Sequence, residues 1–327
     1  MELSWLVVLR TFVAIVVGIP LALSLIGVSL LTRFRIAAAM VVGAALVGFA
    51  AWPLAKPAEV LGAVTLFTGD ITLLDATSCV ILAFLSGLLA YFVSYPHGRQ
   101  IAPLAAPTGL AVWAFRTGDM TSLLRTNYTL TQRQALYATL RWEGFFWLLI
   151  VAAGYFGVLT AQNLCGSKSA PTQPNNTHNP KANKVLSIAT AIVATIVITQ
   201  FAIGIFAQDV KMPDSQVGSV VGQPSVGQVA FAVLLSFGIA AFVVKKFLDV
   251  SYIFPAMAAA ALTFFAITFF AAKQDVLEHM IQTWPVAFFT RATCAILPLQ
   301  MVTFAAIGSI AGYWVAIKYT YWRKHGG

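Results

Sequence analysis

Charged residues are scarce in this sequence of 327 residues, and their scarcity excludes most soluble folds. Only 9% of the residues are Asp, Glu, Lys or Arg, whereas about 25% are charged in a typical soluble domain. Apolar residues make up 59%, and several apolar runs reach about 20 residues, the length that crosses a bilayer core. Alternating strands of about ten residues, which are typical of membrane β-barrels, do not occur. The sequence therefore predicts an all-α, polytopic transmembrane helical bundle.

Patterns that bind metal or haem are also lacking. The cysteines do not have the spacing of a disulfide framework or a zinc site. They are Cys79, Cys165 and Cys294. The histidines all lie away from the middle of the predicted spans, and haem iron in a helical bundle often takes an axial histidine. They are His97, His178, His279 and His325. We therefore predict no metal site and no cofactor.

Signatures of catalysis and of ion coupling are missing as well. The chain has no HExxH, no GxSxG and no phosphate-binding glycine loop, which disfavours a metalloprotease, an α/β-hydrolase or an ATPase. No Asp or Glu lies at the centre of a predicted span, whereas ion-coupled carriers commonly use buried ionisable groups. The sequence thus favours a non-catalytic protein over an enzyme and lowers the expectation of ion-coupled transport.

The positive net charge of +9 is explained by membrane topology. The nine predicted spans are residues 5–31, 36–54, 77–95, 102–116, 144–162, 185–207, 228–244, 252–272 and 292–317. With the N-terminus outside, eleven bases and one acid fall on the inner side, which follows the positive-inside rule. The bases form no dense cluster of the kind that binds nucleic acid. We predict a multi-pass protein of the bacterial cytoplasmic (inner) membrane, with the C-terminus in the cytoplasm and no nucleic-acid partner.

A polar segment near the midpoint, Ser167–Lys184, separates two similar parts of the chain. Ser94–Arg116 in the first part aligns without gaps on Ser251–Lys273 in the second, and the alignment pairs a serine, a tyrosine and a terminal base. An even number of spans in each part keeps two parallel repeats in the same orientation. Chance similarity between alanine-rich helices is the alternative. The predicted domains are an N-terminal transmembrane helix (1–35), a first four-helix repeat (36–166), a polar cytoplasmic linker (167–184) and a second four-helix repeat (185–327).

Short interfacial helices are predicted just before the last span of each repeat. The pairs Thr131/Gln134 and Asp275/Glu278 have the spacing of a capping box, in which two side chains satisfy free N–H groups at a helix start. We expect each pair to begin such a helix. The fourth predicted span, residues 102–116, is short and carries two prolines, so a crossing helix and a re-entrant segment both remain open.

The strongest candidate site is the segment RWEGFFW, Arg141–Trp147, at the outer end of the fifth predicted span. Arg141 can hold a lipid phosphate or a substrate carboxylate, and Glu143 can act as an acid, a base or an ionic partner. Arg291 begins the last span and is the counterpart of Arg141 in the second repeat. The alternative is an interfacial anchor, because tryptophans favour the headgroup level and long charged side chains extend to it.

The last predicted span contains a further candidate and a packing motif. Gln300 is its deepest amide, and Pro298 leaves a backbone carbonyl free for a neighbouring group. Gln300 therefore either binds a ligand or serves helix packing. Gly308 and Gly312 form a small-xxx-small pair, which permits close approach of a helix from the same chain or from a partner.

Three functions are compatible with the sequence, and the first is favoured because the loops are short and no soluble domain is evident. The first is a non-catalytic scaffold or conduit subunit of a larger membrane assembly, whose partners are the lipid bilayer and other membrane subunits. The second is a transporter or channel for a neutral or lipidic solute. The third is a membrane enzyme that acts on a lipid-linked substrate at the outer leaflet through Arg141, Glu143 and Arg291. Architecture by itself does not choose among them.

Overall fold

The computed structural model describes residues 29–57, 62–67, 71–166, 181–285 and 287–325. The long helices are α1 (Leu30–Gly43, continued by a π-helical stretch, Ala44–Ala50), α3 (Leu73–Val93), α5 (Ala105–Arg116), α7 (Leu130–Leu164), α8 (Lys181–Phe206), α9 (Val226–Leu248), α10 (Ile253–Ala266, continued by a π-helical stretch, Ile267–Ala271) and α12 (Pro298–His325). The shorter helices are α2 (Trp52–Ala55), α4 (Gly98–Ile101), α6 (Met120–Thr126) and α11 (Gln274–Thr283). The strands are β1 (Lys211–Asp214), β2 (Gly218–Gly222) and β3 (Phe288–Phe289).

Seven helices in the described residues are long and apolar enough to cross a membrane. They are Leu30–Ala50, Leu73–Val93, Leu130–Leu164, Val185–Phe206, Val226–Leu248, Ile253–Ala271 and Pro298–Lys324. Each coincides for most of its length with one predicted span from the second onward, and the fold is that of an all-α, multi-pass membrane protein. Residues 5–28 of the first predicted span, 5–31, and most of the predicted linker, 167–184, lie outside the described residues; Leu30 and Leu31 already belong to α1. The total of nine spans and the duplication therefore remain proposals.

The fourth predicted span, residues 102–116, is a broken segment that is enclosed by protein. A 3-10 turn at Ala102–Leu104 precedes α5, because Pro103 removes a helical N–H donor. Pro107 lies in the first turn of α5, where a missing N–H is tolerated. α5 has only 12 residues, and its side chains are buried from Ala105 through Ala114. These features explain why α5 is not among the seven candidate spans.

One compact unit contains the described residues 29–56, 71–116 and 149–166, and so includes α1, α3, α5 and the C-terminal part of α7. Its helices approach closely at small residues. A Cβ atom on Gly87 of α3 would lie 1.9 Å from the carbonyl oxygen of Gly154 in α7. The buried indole of Trp113 in α5 donates a hydrogen bond of 3.0 Å to the carbonyl oxygen of Gly48, in the π-helical stretch of α1. The unit is thus held by backbone proximity and by a specific indole contact.

The second compact unit contains residue 57 and the described residues 62–67, 117–148 and 181–325. It includes α8, α9, α10 and α12, together with α6 and the N-terminal part of α7. α9 and α12 approach as closely as the helices of the first unit. A Cβ atom would lie 2.3 Å from the carbonyl oxygen of Leu234 if added to Gly308, and 2.0 Å from that of Gly238 if added to Gly312. Gly308 and Gly312 therefore face α9 within this unit.

A small three-stranded antiparallel sheet in this unit interrupts the otherwise helical fold. Its order is β1-β2-β3, with Met212 opposite Val220 and Val221 opposite Phe289. The β1–β2 turn forms because the Asp214 side chain accepts hydrogen bonds from the backbone amides two and three residues later. These strands were not predicted from the sequence.

The predicted capping box at Thr131/Gln134 is wrong, and the helix starts two residues earlier. The Thr129 hydroxyl accepts from the amide of Gln132 at 3.4 Å, and the Gln132 side chain accepts from the amide of Thr129 at 3.2 Å. No proline or glycine occurs between Leu130 and Glu143, so the helix continues without a break into the apolar stretch. The predicted short interfacial helix is therefore the beginning of α7.

The predicted capping box at Asp275/Glu278 is also wrong, although a separate short helix, α11, does lie there. The residue that precedes α11 is Lys273, which makes no side-chain cap. Glu278 instead accepts a hydrogen bond of 2.8 Å from the Gln274 side chain, one turn earlier on the same helix. This contact between the Gln274 and Glu278 side chains stabilises α11 along its surface, and the start of the helix has no side-chain cap.

Candidate functional site

The N-terminal half of α7 presents one broad buried face. Residues that recur at three- and four-residue intervals lie on one side of a helix. The residues of this face are Arg133, Tyr137, Leu140, Glu143 and Trp147, and none is more than 5% exposed. Charged side chains are almost never fully buried without a partner. The presence of both Arg133 and Glu143 therefore marks this face as the candidate functional site.

The carboxyl group of Glu143 is fully buried and only partly hydrogen-bonded. Its exposed fraction is 0%. The indole Nε1 of Trp147, one turn later, donates to Oε1 at 2.8 Å, and the backbone N–H of Leu66 also approaches the carboxyl group. The other oxygen, Oε2, has no hydrogen-bond partner among the described residues. Glu143 therefore keeps an oxygen available for a cation, a proton donor or a proton of its own.

α10 closes one side of the Glu143 environment. The neighbouring Gly144 lies so close to α10 that an added Cβ would be 3.3 Å from the Cα of Ala260 and 3.5 Å from the Cβ of Thr263. The Thr263 hydroxyl donates to the carbonyl oxygen of Ala259 at 3.0 Å. The absence of a side chain at position 144 thus lets a second helix cover this part of α7 and exclude solvent from it.

The structure does not join Glu143 to the two arginines that the sequence analysis grouped with it. Arg141 lies two positions earlier, on a different side of α7; its guanidinium carbon is 5.9 Å from the ring of Trp142, and its buried Nε has no partner among the described residues. Arg291 is exposed, with its guanidinium carbon 5.3 Å from the ring of Phe270. Among the described residues, no hydrogen bond or ion pair links any two of Arg141, Glu143 and Arg291.

Gln300 lies in the first turn of α12 and contributes to the helix start. Its side-chain oxygen accepts a hydrogen bond of 3.3 Å from the backbone N–H of Leu297, which immediately precedes the helix. The side chain is only 2% exposed. Free N–H groups at a helix start need such a partner, so the geometry gives this amide a capping role.

A cleft at the other end of the buried face, which we call the Arg133 cleft, was missed by the sequence analysis. It is small, with an interior volume of about 20 Å³, which is room for about one water molecule. Arg133, Tyr137, Thr290 and Cys294 supply its polar atoms, and apolar residues of α6, α11 and β3 supply the rest of its lining. Its location beside the first two turns of α7 follows from the early start of that helix.

The guanidinium group of Arg133 is held in a fixed position by two backbone carbonyls. Nε donates to the carbonyl oxygen of Asn127 at 3.0 Å, and Nη2 donates to that of Pro285. Nη1 has no hydrogen-bond partner among the described residues, and no described carboxylate lies within 4.0 Å of the group. The Tyr137 hydroxyl, which also lines the cleft, likewise has no hydrogen-bond partner in the part of the chain that the structure describes.

The sequence contains a signal that could have identified the cleft. Arg133 and Tyr137 are spaced by four residues and continue the face that carries Glu143 and Trp147. The predicted span began only at residue 144, however, so the preceding residues were not placed on the same helix. Extending the predicted helix back to Thr129 and Gln132, which cap it, would have placed Arg133 and Tyr137 on the same face as Glu143.

A separate polar cluster ties the β1–β2 turn to α11 and the chain beyond it. Asp214 Oδ2 accepts from the Trp284 indole at 2.8 Å and lies 2.9 Å from Nε2 of His279. The backbone amide of Val217, the Trp284 indole and the His279 ring hold the pKa of Asp214 well below its usual range. Every contact of this cluster joins two residues of the same unit, so its role is to stabilise the structure. We call it the Asp214 clasp.

Comparisons with known proteins give no relative for this chain. Among the described residues, no group of three or more His, Cys, Asp or Glu side chains is arranged to hold a metal ion. No family model matches the chain, and no curated protein or solved structure matches it either.

Proposed function

We propose that this chain is a conduit subunit of a membrane assembly and that Glu143 is the group that binds the conducted species, a proton or a small monovalent cation. The observation that carries the proposal is that Oε2, in a carboxyl group with no exposed surface, has no hydrogen-bond partner among the described residues. Ionisable groups inside helical membrane proteins usually mark ion or proton pathways.

The energetics of the site favour a binding role over a packing role for Glu143. An unsatisfied buried acceptor costs about 1–3 kcal/mol relative to a satisfied one. An apolar residue in the same place would avoid that cost, and a scaffold does not require a carboxyl group there. A bound cation gives Oε2 the partner that the described residues do not provide, and a bound proton removes the cost of burying the negative charge.

The predicted alternatives differ in what they require of this site. An outer-leaflet enzyme would need Arg141 and Arg291 to act with Glu143, and no contact among the described residues links them. A transporter of neutral or lipidic solutes does not need a carboxyl group at all. The conduit role gives Oε2 of Glu143 the partner that it lacks among the described residues, and for that reason we prefer it.

The same proposal includes the number of spans, the two repeats and the membrane location of the chain. We propose nine spans, two four-helix repeats within 36–166 and 185–327, and a cytoplasmic linker at 167–184. Each compact unit has a glycine-mediated contact between two helices, Gly87 with Gly154 in one and Gly238 with Gly312 in the other, and this likeness supports the duplication. The positive-inside asymmetry supports a bacterial inner membrane location with the N-terminus outside. Partner subunits would cover part of the apolar helix surface, and lipid the rest.

The proposal is tested by ion flux in liposomes that contain the purified chain, together with any subunits that remain bound in mild detergent. Proton entry is followed with an internal pH dye, and sodium and potassium entry with cation-sensitive dyes. We expect flux in the wild type and at least a tenfold loss in Glu143→Gln, which keeps the shape of the side chain and removes its charge.

The matched control is Glu278→Gln, because Glu278 is an exposed carboxyl group on α11. This variant should conduct like the wild type. Equal flux in Glu143→Gln and the wild type, or wild-type flux no higher than that of empty liposomes, would contradict the proposal.

A further inference from the structure

Arg133 is a buried positive charge to which the described part of the chain brings no negative charge. Its side chain is only 3% exposed, and an arginine stays protonated in a protein. The carbonyl oxygens of Asn127 and Pro285 accept hydrogen bonds from it, but a carbonyl group carries no net charge. No described carboxylate lies within 4.0 Å of the guanidinium group. A buried charge is costly unless it is paired, so an anion beside Arg133 would stabilise the protein.

Two hydrogen-bond donors at the Arg133 cleft have no acceptor among the described residues. Arg133 and Tyr137 both line the cleft, one turn apart on the same side of α7. The donors are Nη1 of Arg133 and the hydroxyl of Tyr137, a side chain that is 5% exposed. The hydroxyl of Thr290 and the thiol of Cys294 already donate to backbone carbonyl oxygens. A ligand that accepts hydrogen bonds from both free donors is therefore required.

The size of the cleft limits such a ligand to a single heavy atom. The interior volume is about 20 Å³, and one water molecule needs about 10–15 Å³ by the same measure. A chloride ion is only slightly larger than a water molecule, whereas phosphate, sulfate and carboxylate groups each contain several heavy atoms. The remaining walls are apolar and include Leu124, Leu277 and Phe289. Apolar walls exclude water, which strengthens the attraction between an anion and the guanidinium group.

We infer that the Arg133 cleft binds one chloride ion, which accepts hydrogen bonds from Nη1 of Arg133 and from the hydroxyl of Tyr137. The ion neutralises the buried guanidinium charge and thereby stabilises the contact between the start of α7 and the carbonyl oxygen of Pro285. A water molecule could accept the same two hydrogen bonds but would leave the charge unpaired, so the experiment must distinguish the two. The inference is independent of the role proposed for Glu143, because it uses different side chains.

The test is halide binding to the full-length protein, purified in a nonionic detergent together with any subunits that remain attached. The protein is transferred to sodium gluconate and titrated with sodium chloride at constant ionic strength. The readouts are the thermal unfolding temperature and the NMR line width of chloride, which broadens when the ion exchanges with a protein site. We expect a saturable rise in the unfolding temperature and a broadening that excess bromide reverses. Sodium sulfate at the same ionic strength should produce neither effect, because sulfate is too large for the cleft.

Three variants assign the effect to the cleft. Arg133→Gln should weaken chloride binding by at least about tenfold, the loss expected for a hydrogen bond to a charged group. Arg125→Gln removes an exposed arginine from the same region and should bind chloride like the wild type. Tyr137→Phe removes one donor without a change of shape and should weaken binding several-fold, so it decides the matter if Arg133→Gln fails to fold.

Three results would overturn the inference. The first is a wild type that chloride neither stabilises nor binds, which would mean that the cleft holds only water. The second is an equal effect of sulfate, which would indicate a general action of anions on the surface. The third is chloride binding of wild-type strength in every folded variant of Arg133 and Tyr137.

Discussion

Substitution of Gly312 by alanine tests the close contact between α9 and α12. The added Cβ would lie 2.0 Å from the carbonyl oxygen of Gly238 and 2.9 Å from its Cα. A carbon and a carbonyl oxygen approach to about 3.3 Å in ordinary close contacts, so the two helices must separate by about 1.3 Å at this level. The atoms in the way belong to the backbone, and a change of side-chain rotamer therefore cannot relieve the clash.

The loss of stability expected for Gly312→Ala can be estimated from this displacement. Overpacking in a well-packed interior costs about 1–3 kcal/mol, and the upper end applies because backbone must move. Alanine is preferred over glycine in helices by at most about 1 kcal/mol, which offsets part of the loss. We therefore expect Gly312→Ala to lower the free energy of unfolding by about 2 kcal/mol.

The matched control is Gly204→Ala in α8, where an added Cβ would meet nothing within 4 Å. This variant gains the helix preference without the clash, so its free energy of unfolding should equal or slightly exceed that of the wild type. The assay is unfolding in mixed micelles with increasing sodium dodecyl sulfate, followed by circular dichroism. A Gly312→Ala protein as stable as the Gly204→Ala protein would refute the close contact.

Three other experiments test the Asp214 clasp, the buried carboxyl group of Glu143 and the proposed orientation of the chain in the membrane. Because hydrogen bonds lower the pKa of Asp214, its stabilising effect is complete above about pH 5 and is lost as the pH falls below about 4; at pH 5 pepsin should therefore cut the β1–β2 turn faster in Asp214→Asn than in the wild type, and the ratio of the two rates should approach one towards pH 2. Trp147→Phe removes the donor to Oε1 of Glu143 and should lower the free energy of unfolding by about 1–3 kcal/mol, whereas Trp142→Phe, at an exposed position, should change it little. An impermeant maleimide should label the exposed Cys165 in inside-out vesicles only, and labelling in intact cells would reverse the proposed orientation.

The transmembrane helices were predictable because hydropathy reports directly on burial in lipid. The seven candidate spans were found, but the start of α7 was not. The span prediction ended where the apolar run ends, at Glu143, whereas the backbone remains helical as long as no proline or glycine interrupts it and a cap is present. The small sheet was missed for a related reason: its strands have two to five residues, too few for a periodic pattern to emerge.

The candidate site was predictable only where its residues are close in sequence. Arg141 and Glu143 were recognised from one short segment, but their different orientations depend on the helix to which they belong. Arg133 was missed because the predicted span began only at residue 144, although its spacing from Tyr137 was visible in the sequence. The contact of Arg133 with the carbonyl oxygen of Pro285, 152 positions away, is created by tertiary structure, and a single sequence does not encode it in any local pattern.

The length of α7 determines how much of the helix lies outside the hydrocarbon layer. The helix has 35 residues and is therefore about 52 Å long, whereas the hydrocarbon layer is about 30 Å thick. Even a tilt of 40°, at the limit of what membrane helices show, leaves a projection of about 40 Å along the bilayer normal. The apolar stretch occupies the C-terminal part, so the excess of about 10 Å or more emerges at the N-terminal end. The first turns of α7, which carry Arg133, thus lie at the level of the headgroups and not in the hydrocarbon layer.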